Sequence, residues 1–313
     1  MFYIDRERVE LVCYDGFKLD AYIYGDYNKN FKGVVQIVHG KGEYSTNYEN
    51  IIKFLIKNSY VVVINDHRGH GKYNEGKKFY SYVTDDNYFV MMVKDLKTIN
   101  TFIRNKFPTK KVFLVGHSMG GYLSLKYSEV YGDSIDGLVL CGIGKDYKIK
   151  LNSQVLISRF ICGFNDVNKP NEFVNKTVYK ILNKKFKEDR DIDNKYAFTT
   201  SNKQVLKKYS EDDLRIKEYT LKFYHDLFDG IRHSLKSESL NKINKDLKIL
   251  IVAGELDPVC SFKRGVKLLG NAISKCGVNC EFKIYENMRH EVFIEDGNEK
   301  VFNDVLNFID KIV

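Results

Sequence analysis

Lys111-Val112-Phe113-Leu114-Val115-Gly116-His117-Ser118-Met119-Gly120-Gly121 is the stretch on which the fold turns. Val112 to Val115 is apolar and rich in β-branched side chains, as a buried strand is, and a helical pattern runs from Met119 to Val130. Ser118 therefore sits on the turn between strand and helix. Such a turn forces its central residue into strained backbone geometry and leaves no room for side chains before and after it, which makes Gly116 and Gly120 steric requirements. The result is an exposed hydroxyl at a helix N-terminus, where the dipole and free amides favour developing negative charge. A bare Gly-x-Ser-x-Gly also occurs in ordinary glycine-rich loops. A strand before it and a helix after it separate the two cases.

Outward from this stretch the chain alternates strand and helix. Apolar strands are predicted over Gly33 to Val38, Val61 to Asn65 and Gly137 to Cys141, and helical stripes over Asn50 to Ile56 and Asn87 to Phe107, the latter stopped by Pro108. That rhythm belongs to a mostly parallel sheet covered by helices on both faces, an α/β fold. Arg8 to Tyr14 and Lys18 to Tyr24 alternate around Asp15-Gly16 and predict a hairpin of antiparallel edge strands. The rhythm breaks near Gly142 and resumes at Leu247 to Val252, followed by a helix over Phe262 to Ile273, a strand over Cys280 to Tyr285 and a closing helix over Val301 to Ile312. The chain thus divides into a core of residues 1–143 and 236–313 and a helical cap insertion over 144–235.

The 313 residues carry a formal charge of +9 and a pI near 9.0. Lysines are spread along the chain without an arginine-rich tract, which argues against a nucleic-acid partner. Gly144 to Leu235 carries 19 Lys and Arg against 13 Asp and Glu, so the cap is the basic part. Within it Phe173, Val174, Val178, Ile181, Leu182 and Phe186 mark one helical face, with Lys176, Lys180, Lys184 and Lys187 over much of the rest. Such a face packs on the sheet domain, or it touches an anionic membrane surface. The six cysteines form no Cys-x-x-Cys pair and read as reduced structural thiols. No apolar signal core opens the chain and no apolar run reaches membrane-spanning length, so a cytoplasmic location is expected.

A serine hydroxyl is a poor nucleophile at neutral pH and needs a base within hydrogen-bond reach, oriented by an acid. Of the histidines after Ser118, His225 and His233 lie in the helical insertion. His290 follows the last strand, on a loop at the sheet's C-terminal edge. The preceding strand ends in Ala253-Gly254-Glu255-Leu256-Asp257-Pro258, which offers two carboxylates. Asp257 is favoured because Pro258 holds it in an extended backbone, and it also suits a helix N-cap. The oxyanion requires two amides, one from Met119 and one from Lys41 in His39-Gly40-Lys41-Gly42, with Gly40 and His117 placed to contact substrate. Asp66-His67-Arg68-Gly69-His70-Gly71 resembles a metal site but lacks further ligands. It reads as a tight bracing loop in which Asp66 and Arg68 pair. No metal or organic cofactor is expected.

Five blocks, His39-Gly40-Lys41-Gly42-Glu43, Asp66-His67-Arg68-Gly69-His70-Gly71, Gly116-His117-Ser118-Met119-Gly120-Gly121, Gly254-Glu255-Leu256-Asp257-Pro258-Val259 and Arg289-His290-Glu291, give the chain a resemblance. It resembles an α/β-hydrolase of the monoacylglycerol lipase and lysophospholipase group, which peptidase classifications place with serine aminopeptidases. The resemblance implies the α/β-hydrolase fold, a triad of Ser118, Asp257 and His290, and oxyanion amides at Lys41 and Met119. Its expected activity is hydrolysis of monoacylglycerols, lysophospholipids or similar small-molecule acyl esters. The group's usual Gly-Glu-His-Ser-x-Arg-Tyr is here Gly42-Glu43-Tyr44-Ser45-Thr46-Asn47-Tyr48, without the arginine. Two other readings stand beside this one. An aminopeptidase would grip a free amine with acidic cap groups such as Glu211-Asp212-Asp213, and a non-catalytic binding protein would reuse the scaffold.

Overall fold

The computed structural model describes residues 6–76, 80, 82, 84–145, 166–186 and 195–313. Eight strands, β1 (Arg6–Val12), β2 (Lys18–Tyr24), β3 (Gly33–Val38), β4 (Tyr60–Asn65), β5 (Lys111–His117), β6 (Gly137–Cys141), β7 (Lys248–Gly254) and β8 (Cys280–Tyr285), form one sheet in the order β1-β2-β4-β3-β5-β6-β7-β8. From β4 to β8 every pairing is parallel, while β1 with β2 and β2 with β4 are antiparallel. The hairpin therefore forms as expected, but only β1 lies at the edge. β2 is buried from Leu19 to Tyr24 because it pairs on both sides.

Strand side chains alternate between two cores. Phe113 and Val115 of β5 join the layer under the helices Glu49–Lys57 and Glu299–Asp310, and Leu114 joins the layer under Tyr88–Lys106, Met119–Tyr131 and Phe262–Ser274. Both faces are thus covered. Parallel order sends every β5-to-β8 loop to one edge, where the functional side chains gather.

Between β6 and β7, the described residues form the helices Glu172–Leu182, Lys203–Glu211 and Leu221–Ser234. Leu221–Ser234 docks on Tyr88–Lys106: a β-carbon at Gly230 would overlap the Phe89 ring, and Asp226 accepts from the Tyr88 amide at 3.0 Å. Glu172–Leu182 seats its apolar stripe in part, with Val174 and Val178 packed on one core cluster and Leu182 on another. Asn175 and Tyr179 are its buried residues, while Phe173 is 71% and Ile181 51% exposed. The Asn175 carboxamide accepts from the Tyr219 amide and donates to its carbonyl, both at 3.0 Å, so a polar anchor sets the helix rotation. Lys187 and Cys162 lie outside the described residues.

The loop after β4 is braced, but not by the expected pair. Arg68 is buried and grips Asp95 through Nε and Nη2 at 2.5 Å each, with Asp15 at 2.5 Å on Nη1. Asp66 instead accepts from the Ser45 amide at 2.8 Å. Helix Tyr88–Lys106 presents Asp95 to the guanidinium as a bidentate partner, which an adjacent aspartate cannot match. Replacing Arg68 with Leu should leave Asp95 buried and uncompensated and cost about 3–5 kcal/mol. Urea unfolding of the variant against the parent reads this directly.

Candidate active site

Ser118 stands at the end of β5 with φ 53° and ψ −118°, and its amide donates to the Cys141 carbonyl at 2.8 Å. A β-carbon on Gly116 would overlap Ser124 and the Gly120 carbonyl, and one on Gly120 would overlap the Val38 and His39 carbonyls. The end of β3 therefore presses on the first turn of the serine helix. Only glycine permits that approach.

His290 Nε2 lies 2.8 Å from Ser118 Oγ, and His290 Nδ1 lies 2.8 Å from Asp257 Oδ2. Asp257 is fully buried, and its other oxygen accepts from the Val259 amide at 2.8 Å, so it orients the imidazole and caps the following turn at once. Glu255 points away and pairs with Lys263. His225 contacts Asp226, and His233 lies 3.6 Å from Asp229, both remote from this group.

The histidine loop is held by the insertion, a feature without a signature in the sequence. The His290 and Glu291 amides donate to the Phe198 and Thr199 carbonyls at 3.3 and 2.7 Å, Arg289 donates to the Ala197 carbonyl at 2.6 Å, and Glu295 accepts from Thr200 at 2.7 Å. Four contacts along four consecutive insertion residues fix the imidazole's position.

Ser118, His290, Lys41 and Met119 line one cavity of about 480 Å³. Its walls include Tyr122 and the apolar side chains Leu227, Phe228, Ile231 and Leu235. Gly40 and His117, expected to touch substrate, stand behind the wall instead. The Gly40 amide donates to Glu43 at 2.7 Å, and a β-carbon there would crowd the same carboxylate. His117 is buried with Nδ1 2.9 Å from Glu43 and Nε2 3.3 Å from the His290 carbonyl. Burial opposes both charges of this pair, and their mutual attraction outweighs it. The Glu43 carboxyl is held below its ordinary range and the His117 imidazole is raised to about 9. A buried pair of opposite charges thus supports the histidine loop from beneath through the His290 carbonyl. Glu211, Asp212 and Asp213 are not among the cavity's lining residues, and Asp212 accepts from Tyr44 at 2.7 Å.

His39, His67 and His70 cluster beside the loop after β3 with their rings tilted to one another, His39 and His67 centroids 4.0 Å apart. The His67 amide donates to His39 Nε2 at 2.9 Å. Burial pushes all three imidazoles down, His67 to about 3 and His70 to about 4. Among the described residues no cluster of His, Cys, Asp and Glu is arranged to hold a metal ion, and no helix is long and apolar enough to cross a membrane. Cys13, Cys141, Cys260, Cys276 and Cys280 are free thiols.

A mostly parallel sheet led by an antiparallel hairpin, with a serine on a positive-φ turn after β5 and its hydrogen-bonded histidine on the loop after β8, defines an α/β-hydrolase. The family model Hydrolase_4, described as serine aminopeptidase, S33, matches residues 29–297, and the chain belongs to that family. Rat monoglyceride lipase is 33% identical over 110 residues, which is 35% of this chain and 34% of that relative, so the match spans about a third of its length. Phospholipase YtpA of Bacillus subtilis is 22% identical over 286 residues, covering 90% of this chain and 96% of that one. The fold is also that of a carboxyl esterase from Bacillus coagulans crystallised with glycerol, with a TM-score of 0.89, 21% identity and 99% of each chain covered.

The buried histidines set an acid limit. As pH falls through about 6.5 the unfolded chain takes up protons that the folded imidazoles refuse, so stability present above that pH is lost toward the folded values. Each of His67 and His70 should contribute a slope of about 1 kcal/mol per pH unit below pH 6. Urea unfolding between pH 7 and 5 should show a shallower loss for His70→Gln than for the parent. Parallel curves would rule the contribution out.

Proposed function

We propose that this enzyme, a serine ester hydrolase of the monoglyceride-lipase type, cleaves acyl esters such as monoacylglycerols or lysophospholipids, with Ser118 as nucleophile, His290 as base and Asp257 as the orienting acid. The observation that carries the proposal is the unbroken relay from Asp257 through His290 to Ser118, two hydrogen bonds of 2.8 Å opening on an apolar-walled cavity. In the reaction His290 Nε2 takes the hydroxyl proton as Ser118 attacks the ester carbonyl. The imidazolium is stabilised by Asp257. The oxyanion points to the amides of Lys41 and Met119, two donors whose loops are pressed together at Gly120. His290 then gives its proton to the leaving alcohol, and water attacks the acyl-enzyme by the same route in reverse. Leu227, Phe228 and Ile231, on the insertion that we take as a cap over residues 144–235, suit an acyl chain.

A membrane role for that cap is favoured by one observation. Phe173 and Ile181 stand exposed on the helix that also carries the exposed Lys176 and Lys180. Such a face inserts apolar side chains between lipid headgroups while each lysine near an anionic surface contributes about 1 kcal/mol. Substrate would then enter from the bilayer side.

Fluorophosphonate probes should label the parent chain and not Ser118→Ala. Asp257→Asn should lower kcat by about 10³- to 10⁴-fold while keeping the unfolding midpoint, since the amide oxygen still accepts from Val259. Glu255→Gln should turn over like the parent, and the opposite result for these two variants would move the acid. For the cap, co-sedimentation with phosphatidylglycerol vesicles should exceed that with phosphatidylcholine vesicles and fall in Phe173→Ser. Equal recovery with both vesicle types would remove the membrane reading.

A further inference from the structure

Among the described residues, the cavity beside Ser118 is lined by more cationic side chains than carboxylates. Two carboxylates of those residues line it, and both are engaged. Glu43 is bound to His117, Tyr48 and the Gly40 amide, and Glu291 is bound to Tyr209 and to Arg215 Nη2, the latter at 3.1 Å. Lys41 is different. No carboxylate lies within ion-pair distance of it among the described residues, and its ammonium sits over the rings of Tyr179, Tyr219 and Tyr224 at 4.9, 4.4 and 5.6 Å, with the Tyr179 hydroxyl at 3.4 Å. A cation held only by ring faces and one neutral hydroxyl is charged at a cost that an anion would remove.

Arg215 supplies the second half. It is 4% exposed, lines the same cavity with its guanidinium 3.7 Å from the Tyr209 ring centroid, and among the described residues its buried Nε and Nη1 meet no hydrogen-bond acceptor. Leaving guanidinium donors unsatisfied in a buried wall is expensive. The side chain passes close to the Lys41 loop, since a β-carbon on Gly42 would stand 4.0 Å from Arg215 Cγ. Burial, with repulsion from Lys195 and Arg215, lowers the Lys41 ammonium to about 7, as expected of neighbouring cations without a counter-charge.

We propose that this end of the cavity is an anion subsite, in which the Lys41 ammonium and the free Nε and Nη1 of Arg215 hold the phosphate of an acyl-ester substrate's headgroup. The proposal rests on the serine-hydrolase reading and narrows it, from neutral and charged esters alike to esters with an anionic headgroup. A phosphate oxygen accepts from both donors at once, and the planar guanidinium edge suits a tetrahedral oxyanion. The acyl chain runs the other way, along the apolar wall of Leu227 and Phe228.

The test compares 1-decanoylglycerol with 1-decanoylglycerol 3-phosphate, below their aggregation concentrations, in the parent chain, Lys41→Met and Arg215→Lys. Two charge-assisted contacts should give the parent a kcat/KM for the phosphate ester at least about tenfold above the neutral one. Each variant should bring that ratio down toward one. Because the ratio is internal to each preparation, partial loss of folded protein cancels. Inorganic phosphate separates the two sources of the anion. Competitive inhibition of neutral-ester hydrolysis together with preference for the phosphate ester supports the subsite as a headgroup site. Inhibition without that preference overturns it, leaving a site for free phosphate only. A parent ratio at or below one, or a ratio above ten unmoved in both variants, also overturns it. If neither ester is cleaved and no fluorophosphonate label appears on Ser118, the hydrolase reading itself fails. Cleavage of both esters without charge preference sinks only the subsite.

Discussion

The geometry at the sheet's C-terminal edge depends on one close backbone approach. The carbonyls of Val38 and His39, at the end of β3, press against Gly120 in the first turn of the helix after β5, and the Gly120 carbonyl presses in turn on Gly116. Ser118 is caught between them with positive φ, its amide tied to β6 through the Cys141 carbonyl. A residue in that conformation costs of order 1–3 kcal/mol and persists only where its surroundings over-determine it. Here three adjacent parallel strands do so. The same pressure brings the loop carrying Lys41 alongside the serine helix, so hydroxyl and loop amides are positioned by one constraint and not by separate ones.

The histidine is held by different means. Its loop follows β8, an edge strand with mostly exposed side chains, although Met288, Val292 and Phe293 of the loop are themselves buried in the core. Stiffness comes from two sides. Below, the buried Glu43 and His117 pair reaches the His290 carbonyl, and above, the backbone of residues 197–200 accepts and anchors the loop. A buried ion pair adds little net stability, but its directional hydrogen bonds specify one arrangement. The insertion is therefore part of what holds the imidazole, as well as a wall of the cavity.

Much of this was legible in the sequence because it is local. Gly33–Val38, Gly137–Cys141 and Cys280–Tyr285 are bounded by turn residues and form as strands over those same residues. Element order in the sequence points to Ser118, Asp257 and His290, and the structure brings these three side chains within hydrogen-bond distance. What escaped is what long-range packing decides. The inner position of β2 follows from pairing with β4, and Arg68's partner Asp95 sits on a distant helix in place of the adjacent Asp66. The rotation of Glu172–Leu182 is set by Asn175 against Tyr219 backbone, which turns Phe173 and Ile181 outward while Val174, Val178 and Leu182 of the same stripe still pack inward. Gly40 and His117 lie within the right motifs but face the interior, because Glu43 claims both. Motif membership locates a residue near the site without saying which way it points.

Arg215 carries that lesson furthest. The group this chain resembles usually places an arginine where Asn47 stands, and Asn47 here spends its carboxamide on the Tyr44 amide at 3.0 Å. A guanidinium nonetheless borders this loop, contributed by the insertion and seated beside Gly42. It arrives with one carboxylate for partner and two donors unspent, in a wall where, among the described residues, Lys41 has no carboxylate within ion-pair distance. An arginine placed only for stability would sit as Arg68 does, with every nitrogen bound to an oxygen. The contrast between these two buried guanidiniums, one with every nitrogen bound and one with two unpartnered donors in the cavity wall, separates a brace from a binding group.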